Sequence, residues 1–293
     1  MVSTMDVSIV IVSWQVKEPL RRCLLSIFDH RPLRSVEVFV VDNKSTDGTV
    51  EMVISEFQSV TLIKNEKNLG FATACNQAIK KSSGAYILIL NPDTEVQPGS
   101  IDSLTDFMQT TRDCGIAGCK LINDDGTLQP SARRFPDLLS HIIILLKLHN
   151  FFPHLRPVTK YYMSDWPHDT TRPVDQVMGA CFMIRRQLLK DIGLFDEHFY
   201  IWYEEVDLCR RALTTGWKTY FFSGTSIIHQ KGRSFTQRNP VVLQTIFGRS
   251  LLYYFFKHSN LYSYIILLIL YPISILLAFI VMMFGIKKKR KDF

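Results

Sequence analysis

The chain lacks the glycine signatures of two common nucleotide-binding designs. After its first apolar run come Ser13-Trp14-Gln15-Val16-Lys17 in place of GxGxxG, which argues against a dehydrogenase of the usual kind. No GxxxxGK(S/T) phosphate loop occurs either. The six cysteines, Cys23, Cys75, Cys114, Cys119, Cys181 and Cys209, form no CxxC or CxxH. That spacing excludes a zinc site and a disulfide framework and suits free thiols in a reducing compartment. The first apolar run, residues 7–12, is too short for a secretory signal, so the amino-terminal portion is expected to stay in the cytoplasm. No basic stripe interleaved with aromatics is present, and nucleic acid is not an expected partner.

What the chain does have is length, one long uncharged run and a concentrated positive end. Its 293 residues suffice for one large domain or two small ones with a stable core. Part of the net charge of +7 lies in Lys287-Lys288-Lys289-Arg290-Lys291, directly after residues 259–286, which carry no charge. That run is long enough to cross a bilayer, and its Leu, Ile, Tyr, Phe and Met suit lipid. The expected division is a folded domain over residues 1–256 and a membrane anchor with a polybasic tail over 257–293. Anionic lipid headgroups are the natural partner of the basic cluster. The positive-inside tendency, however, puts that cluster on the same side as a cytoplasmic domain, which a single crossing cannot satisfy. Pro272 offers a break that would make a re-entrant hairpin; a single kinked span is the alternative.

Short apolar runs at residues 7–12, 36–41, 60–63 and 86–90 start about 25 to 30 residues apart, the period of a βαβ unit. Between them, Leu20, Cys23, Leu24, Ile27 and Phe28 have the spacing of a helix packed on a sheet. Val50, Val53 and Phe57 follow a capping stretch at Ser45-Thr46-Asp47-Gly48, and Ala74, Cys75, Ala78 and Ile79 follow Gly70. This alternation predicts an α/β fold with a mostly parallel central sheet and flanking helices.

Acids stand where these strands stop. Tyr86-Ile87-Leu88-Ile89-Leu90 runs into Asn91-Pro92-Asp93-Thr94-Glu95, and ligands of open α/β sheets bind at the carboxyl ends of strands. Pro92 favours an abrupt exit from the ladder that presents Asp93, a suitable ligand for a hard divalent cation. Asn123-Asp124-Asp125-Gly126 reads as a hairpin turn. Residues 138–152 are apolar with scattered His and Lys, either a packed helix or a segment against the membrane or an acceptor lipid. Gly179-Ala180-Cys181-Phe182-Met183-Ile184 predicts a strand opened by small residues. Further on, Glu204, Glu205 and Asp207 occupy the first turn of a predicted helix, where the dipole favours negative charge. Capping and an ion pair from Asp207 to Arg211 account for part of this cluster only.

Taken in order, these stretches resemble the inverting GT-A glycosyltransferases of family 2, in their bacterial rhamnosyltransferase-like branch. The motifs are Val40-Val41-Asp42-Asn43-Lys44-Ser45-Thr46-Asp47-Gly48-Thr49, Asn68-Leu69-Gly70-Phe71-Ala72 with Asn76, Asn91-Pro92-Asp93, Ser131-Ala132-Arg133-Arg134-Phe135-Pro136, Gly179-Ala180-Cys181, residues 204–211, and His229 with Gly232 and Ser234. The resemblance implies a GT-A fold and a pocket for a dTDP- or UDP-sugar. Ser13 and Asp42 would face the base and ribose, with Asn43 and Asp47 nearby, and Asn68 and Gly70 would close over the donor. Gly179 and Ala180 would lie against the nucleotide sugar. The family's DxD motif here begins with Asn91, leaving Asp93 as the carboxylate ligand for Mn²⁺ or Mg²⁺, with His229 in support. Glu205 stands where the family has its aspartate base, Glu204 would orient the acceptor, and Asp207 would hold Arg210 or Arg211.

A membrane anchor behind such a domain suggests a lipid-linked glycan acceptor, met at the cytoplasmic face of the inner membrane during cell-surface polysaccharide synthesis. A catalytically silent membrane scaffold of the same fold and a nucleotidyltransferase share parts of the pattern and remain alternatives.

Overall fold

The computed structural model describes residues 5–230 and 239–283. Gly232, Ser234 and the basic run at residues 287–291 lie outside the described residues. The first half alternates as its periodicity predicts: β1 (Val7–Ser13), α1 (Lys17–Asp29), β2 (Val36–Asp42), α2 (Thr49–Glu56), β3 (Thr61–Lys64), α3 (Phe71–Lys81) and β4 (Tyr86–Leu90). Next come β5 (Thr94–Val96), α4 (Ser100–Thr110), β6 (Cys114–Ile122), β7 (Leu128–Gln129) and β8 (Ala132–Arg133). A lateral excursion follows, built from α5 (Leu138–Leu145), a 3₁₀ turn (Leu148–Asn150) and α6 (Arg156–Tyr162). The chain returns through β9 (Arg172–Val174), β10 (Gln176–Val177), β11 (Cys181–Arg185), α7 (Arg186–Ile192), α8 (Glu204–Thr214) and β12 (Lys218–His229), and ends in α9 (Pro240–His258) and α10 (Leu261–Met283).

The main sheet runs β3-β2-β1-β4-β11-β6-β12-β5. Its β3-β2-β1-β4 part is parallel, whereas β11 lies antiparallel between β4 and β6. Alternating side chains feed two faces, as a pleat of period two requires. Ile9 and Ile11 of β1 pack with Leu20 and Leu24 of α1, and Val10 packs with Ala74 and Ala78 of α3 on the other face. All five residues of β4 are buried, consistent with a central strand covered on both faces. From β1 the chain proceeds to β2 and β3 on one side and then crosses to β4 on the other. The crevice at this reversal, beyond Ser13 and Leu90, is where an open α/β sheet binds ligands.

Residues 123–126 do form a turn, closing β6 onto β7, and the 138–152 segment is the helix α5 followed by the 3₁₀ turn. The re-entrant hairpin is corrected: α10 runs unbroken through Pro272. A proline in a helix removes one backbone hydrogen bond, and the other bonds of a 23-residue helix are enough to carry the chain through.

Candidate active site

Strand ends deliver the first group of residues. Ser13 and Asp42 are register partners at the ends of β1 and β2, and both are buried. One Asp42 oxygen, Oδ2, accepts from the Ser45 amide at 2.8 Å, while its Oδ1 and the Ser13 hydroxyl are buried without a hydrogen-bond partner. Buried polar atoms are rarely left so, and a ligand at this edge would satisfy them.

Other residues of the expected donor pocket are engaged by the protein itself. Asn43 donates to the Gly70 carbonyl at 3.1 Å and accepts from Asn65 at 2.9 Å, so it braces the 65–70 loop. Asp47 accepts from the Lys17 amide at 2.9 Å and from the Thr49 amide at 3.2 Å, capping the starts of α1 and α2. Asn68 accepts from the Gly70 amide at 3.0 Å. Gly70 itself has φ +87°, and a Cβ there would overlap the Tyr200 carbonyl, which accepts from the Phe71 amide at 2.7 Å. The loop is thereby tied to the segment that leads into α8. Asn76 likewise serves the scaffold, bonding both the carbonyl and the amide of Phe195.

Beyond β4, Asp93 is 5% exposed and its Oδ1 accepts no hydrogen bond. His229, the last residue of β12, places Nε2 3.5 Å from that oxygen. The sequence reading did not include Gln129, whose amide orients this imidazole. Gln129 Nε2 donates to the His229 carbonyl at 2.7 Å, so its Oε1 is the atom 2.9 Å from His229 Nδ1. A carbonyl oxygen only accepts, hence Nδ1 carries a proton and, in the neutral ring, Nε2 keeps its lone pair toward Asp93. Two acceptor atoms face one another there, an arrangement that a cation satisfies. Among the described residues no group of three or more His, Cys, Asp or Glu could hold a metal ion. The donor set therefore fits a cation that takes its remaining ligands from phosphate oxygens and water, as Mg²⁺ commonly does.

One hydrogen bond joins this corner to the second acidic cluster. The Asn91 amide donates to the Ala180 carbonyl at 2.8 Å. Neighbouring Gly179 abuts Glu205; a Cβ on it would lie 3.5 Å from the Glu205 carboxyl carbon. The contact between the end of β4 and the start of β11 thus links the segment that carries Asp93 to the backbone against which Glu205 packs. Glu205 is half-buried with Oε2 cut off from solvent. Burial raises its pKa, against hydrogen bonds from its own, the Gly179 and the Val206 backbone and the charge of Arg133. Glu204 is more deeply buried, near Cys75 of α3, and burial together with the Glu205 charge pushes it well above the usual carboxylate range. Arg133, whose guanidinium lies 5.3 Å from the Tyr162 ring, was legible only as part of a motif.

The entrance to α8 is strained. Trp202 and Tyr203 have φ of 68° and 71°, a left-handed conformation that bulky residues rarely adopt. Such outliers cluster at functional sites, and these two aim Glu204 and Glu205 inward. Asp207 is buried and fully engaged, 2.7 Å from each of Arg211 Nε, His258 Nε2 and Lys257 Nζ. Burial works to raise its pKa, but His258, Arg211 and Lys257 hold it below the ordinary value. Asp207 pairs with Arg211, whereas the Arg210 guanidinium lies 4.7 Å from the Phe135 ring.

A family model described as Glycosyl transferase family 2 matches residues 8–193. The chain belongs to glycosyltransferase family 2. N-acetylglucosaminyl-diphospho-decaprenol L-rhamnosyltransferase of Mycobacterium tuberculosis is 32% identical over 248 residues, spanning 79% of this chain and 78% of that enzyme. Low-salt glycan biosynthesis hexosyltransferase Agl10 of Haloferax volcanii is 26% identical over 216 residues, 71% of this chain and 61% of Agl10. Among solved structures, S. aureus TarS 1-349 is similar with a TM-score of 0.54 and 17% identity, over 88% of this chain and 67% of that one. GalNAc-T7 with UDP, GalNAc and Mn²⁺ gives 0.58 at 17% identity, over 78% and 44%. The two structures establish the GT-A fold. As a family 2 member the chain is a glycosyltransferase of rhamnosyltransferase-like type.

Proposed function

We propose that this glycosyltransferase moves a sugar, with inversion at the anomeric carbon, from a nucleotide donor to a lipid-linked glycan at the cytoplasmic face of the inner membrane. The observation that carries this reading is the pairing of Asp93 with His229 across the Asn91–Ala180 hydrogen bond from Glu205. Similarity to an enzyme named for rhamnose transfer to a diphospho-decaprenol acceptor makes dTDP-rhamnose the first donor to try.

Asp42 accepts from the donor's base or ribose through its free Oδ1, with the Ser13 hydroxyl beside it. Asp93 and His229 would hold Mn²⁺ or Mg²⁺, which when bound would supply positive charge for the departing diphosphate. Glu205 takes the acceptor hydroxyl proton as the new C–O bond forms and the bond to the diphosphate breaks. Glu204, whose carboxyl is pushed well above the usual carboxylate range by burial and the Glu205 charge, orients the acceptor hydroxyl beside the base. The Arg133 charge opposes the rise that burial imposes on the Glu205 carboxyl.

Purified full-length protein, first screened against nucleotide sugars by thermal shift with Mn²⁺ or Mg²⁺, is then given its stabilising donor and a polyprenyl-diphosphate glycan. Release of nucleoside diphosphate, with product of inverted anomeric configuration, is the expected result. Release of pyrophosphate, or retained configuration, refutes it.

A further inference from the structure

The length of α10, 23 residues or about 34 Å, fits a bilayer crossing, but its packing does not. Ser263, Leu267, Ser274 and Ala278 are buried, and their spacing places them on one face. That face lies on α9: a Cβ at Gly248 would overlap the Tyr271 ring, and the Tyr271 hydroxyl donates to the Thr245 carbonyl at 3.3 Å. Leu145 of α5 joins Leu267 in the same buried cluster. The opposite face is apolar and open from end to end, through Tyr262, Ile265, Ile269, Ile273, Leu276 and Met283.

The helix beneath is fastened to the catalytic domain. Ser250 donates to the Ile201 carbonyl at 2.9 Å, Lys257 reaches Asp196 and Asp207 at 2.7 Å each, and His258 reaches Asp207 at 2.7 Å. For α10 to cross the hydrocarbon with these contacts intact, α9 would have to enter with it, carrying an exposed Arg249. A second apolar surface adjoins the first. Leu139 of α5, Leu148 of the 3₁₀ turn, and Phe151, Phe152 and Leu155 between that turn and α6 are exposed, Phe151 by 77%. Basic His154, Arg156 and Lys160 stand exposed beside them. Adjacent aromatics with a basic fringe suit the boundary between acyl chains and anionic headgroups.

We infer that α10 lies in the plane of the membrane, its open face sunk into one leaflet beside the Phe151-Phe152 tip, and that the protein is monotopic. The occupant of the combined surface is the cytoplasmic leaflet of an anionic bilayer. An in-plane α10 crosses no bilayer and so avoids the conflict between a single span and the positive-inside tendency. The leaflet then lies next to the active site. His141 of α5 stacks edge-on to Tyr203, ring centroids 6.2 Å apart, and Tyr203 immediately precedes Glu204. A hydroxyl at the membrane surface is thus presented to Glu205 by the same contacts that dock the protein. The inference rests on the reading of the C-terminal region as a membrane anchor, and the following measurement separates the two.

All six native cysteines are buried, so one introduced thiol can be labelled selectively with an environment-sensitive fluorophore. Full-length Tyr262→Cys, Ile269→Cys, Leu276→Cys and Phe151→Cys proteins, with Leu33→Cys as a control at a 95% exposed site, are labelled and bound to phosphatidylglycerol-containing vesicles carrying quenchers at known depths. In-plane docking predicts that positions 262, 269 and 276 lie within about 5 Å of one depth, since the helix axis runs parallel to the surface, and that 151 is shallowly quenched and 33 unquenched. A span would separate successive α10 probes by roughly 10 Å, seven residues at 1.5 Å each. Such a gradient, or an unquenched 151, overturns the inference and leaves the anchor reading standing. No quenching at any position overturns both.

Discussion

His229 Nε2 stands 3.5 Å from Asp93 Oδ1, and Gln129 decides what that nitrogen presents. By accepting from Nδ1–H, Gln129 leaves Nε2 of the neutral ring with its lone pair toward the carboxylate, the arrangement that the proposed cation site calls for. Gln129→Leu is expected to weaken Mn²⁺ binding about 10- to 100-fold, the usual effect of losing such an orienting partner, while the fold persists. Calorimetric Mn²⁺ titration in the presence of nucleoside diphosphate checks this. An unchanged affinity would mean that the imidazole does not bind metal.

Arg133 opposes the effect of burial on Glu205. Its removal in Arg133→Leu leaves the Glu205 carboxyl with a higher pKa, so the acid limb of the kcat/KM profile should move to higher pH, with Arg133→Lys restoring part of the shift. If Arg133 only packs on Tyr162, the limb stays where it is and activity falls equally at every pH.

Gly70 is held at φ +87° against the Tyr200 carbonyl. Gly70→Ala introduces a Cβ where backbone conformation and space both refuse it, and should cost more than about 1 kcal/mol. Because the loop is tied to the segment before α8, the variant should also raise KM for the nucleotide sugar. A thermal melt and a donor titration test the two effects separately.

Asp207 binds α8 to α9 through Lys257 and His258 and pairs with Arg211 of its own helix. Its folded-state pKa lies below the ordinary value, so its contribution is complete above pH of about 4, the unfolded carboxyl's range, and is lost as pH falls through the lower folded value. Asp207→Asn is expected to cost about 3 kcal/mol at neutral pH, as when one partner of a buried ion pair is removed. Denaturant melts between pH 3 and pH 7 would show the difference from wild type shrinking toward the acid end.

The strands and helices of the first half were legible because both periodicities are clean there: β4 is a continuous apolar run, and Leu20, Cys23, Leu24 and Ile27 of α1 are all buried at helical spacing. Asp93, Glu204 and Glu205 were legible for a related reason, since acids that end an apolar strand or crowd a helix start stand out against their surroundings. Gln129 was not, because a lone glutamine in a two-residue strand has no pattern, and its value depends on His229, 100 residues away. Asn43 and Asp47 lie in a motif that reads as ligand-binding, and their side chains also bond loop and helix-end backbone. Such scaffold contacts have no signature in the motif. Pro272 misled in the opposite direction, because a proline within an apolar run does not by itself end a helix.

The central claim is that Asp93 and Glu205 serve one reaction in different ways, and it is tested most directly by comparing binding with turnover. Nucleoside diphosphate release from the donor and glycolipid, and Mn²⁺-dependent donor affinity, are measured for wild type, Asp93→Asn and Glu205→Gln. Both variants should lose turnover by at least about a hundredfold, a common size for a missing acid–base group. Only Asp93→Asn should lose the metal-dependent affinity, with Glu205→Gln binding donor as tightly as wild type. Wild-type turnover in either variant would contradict the account.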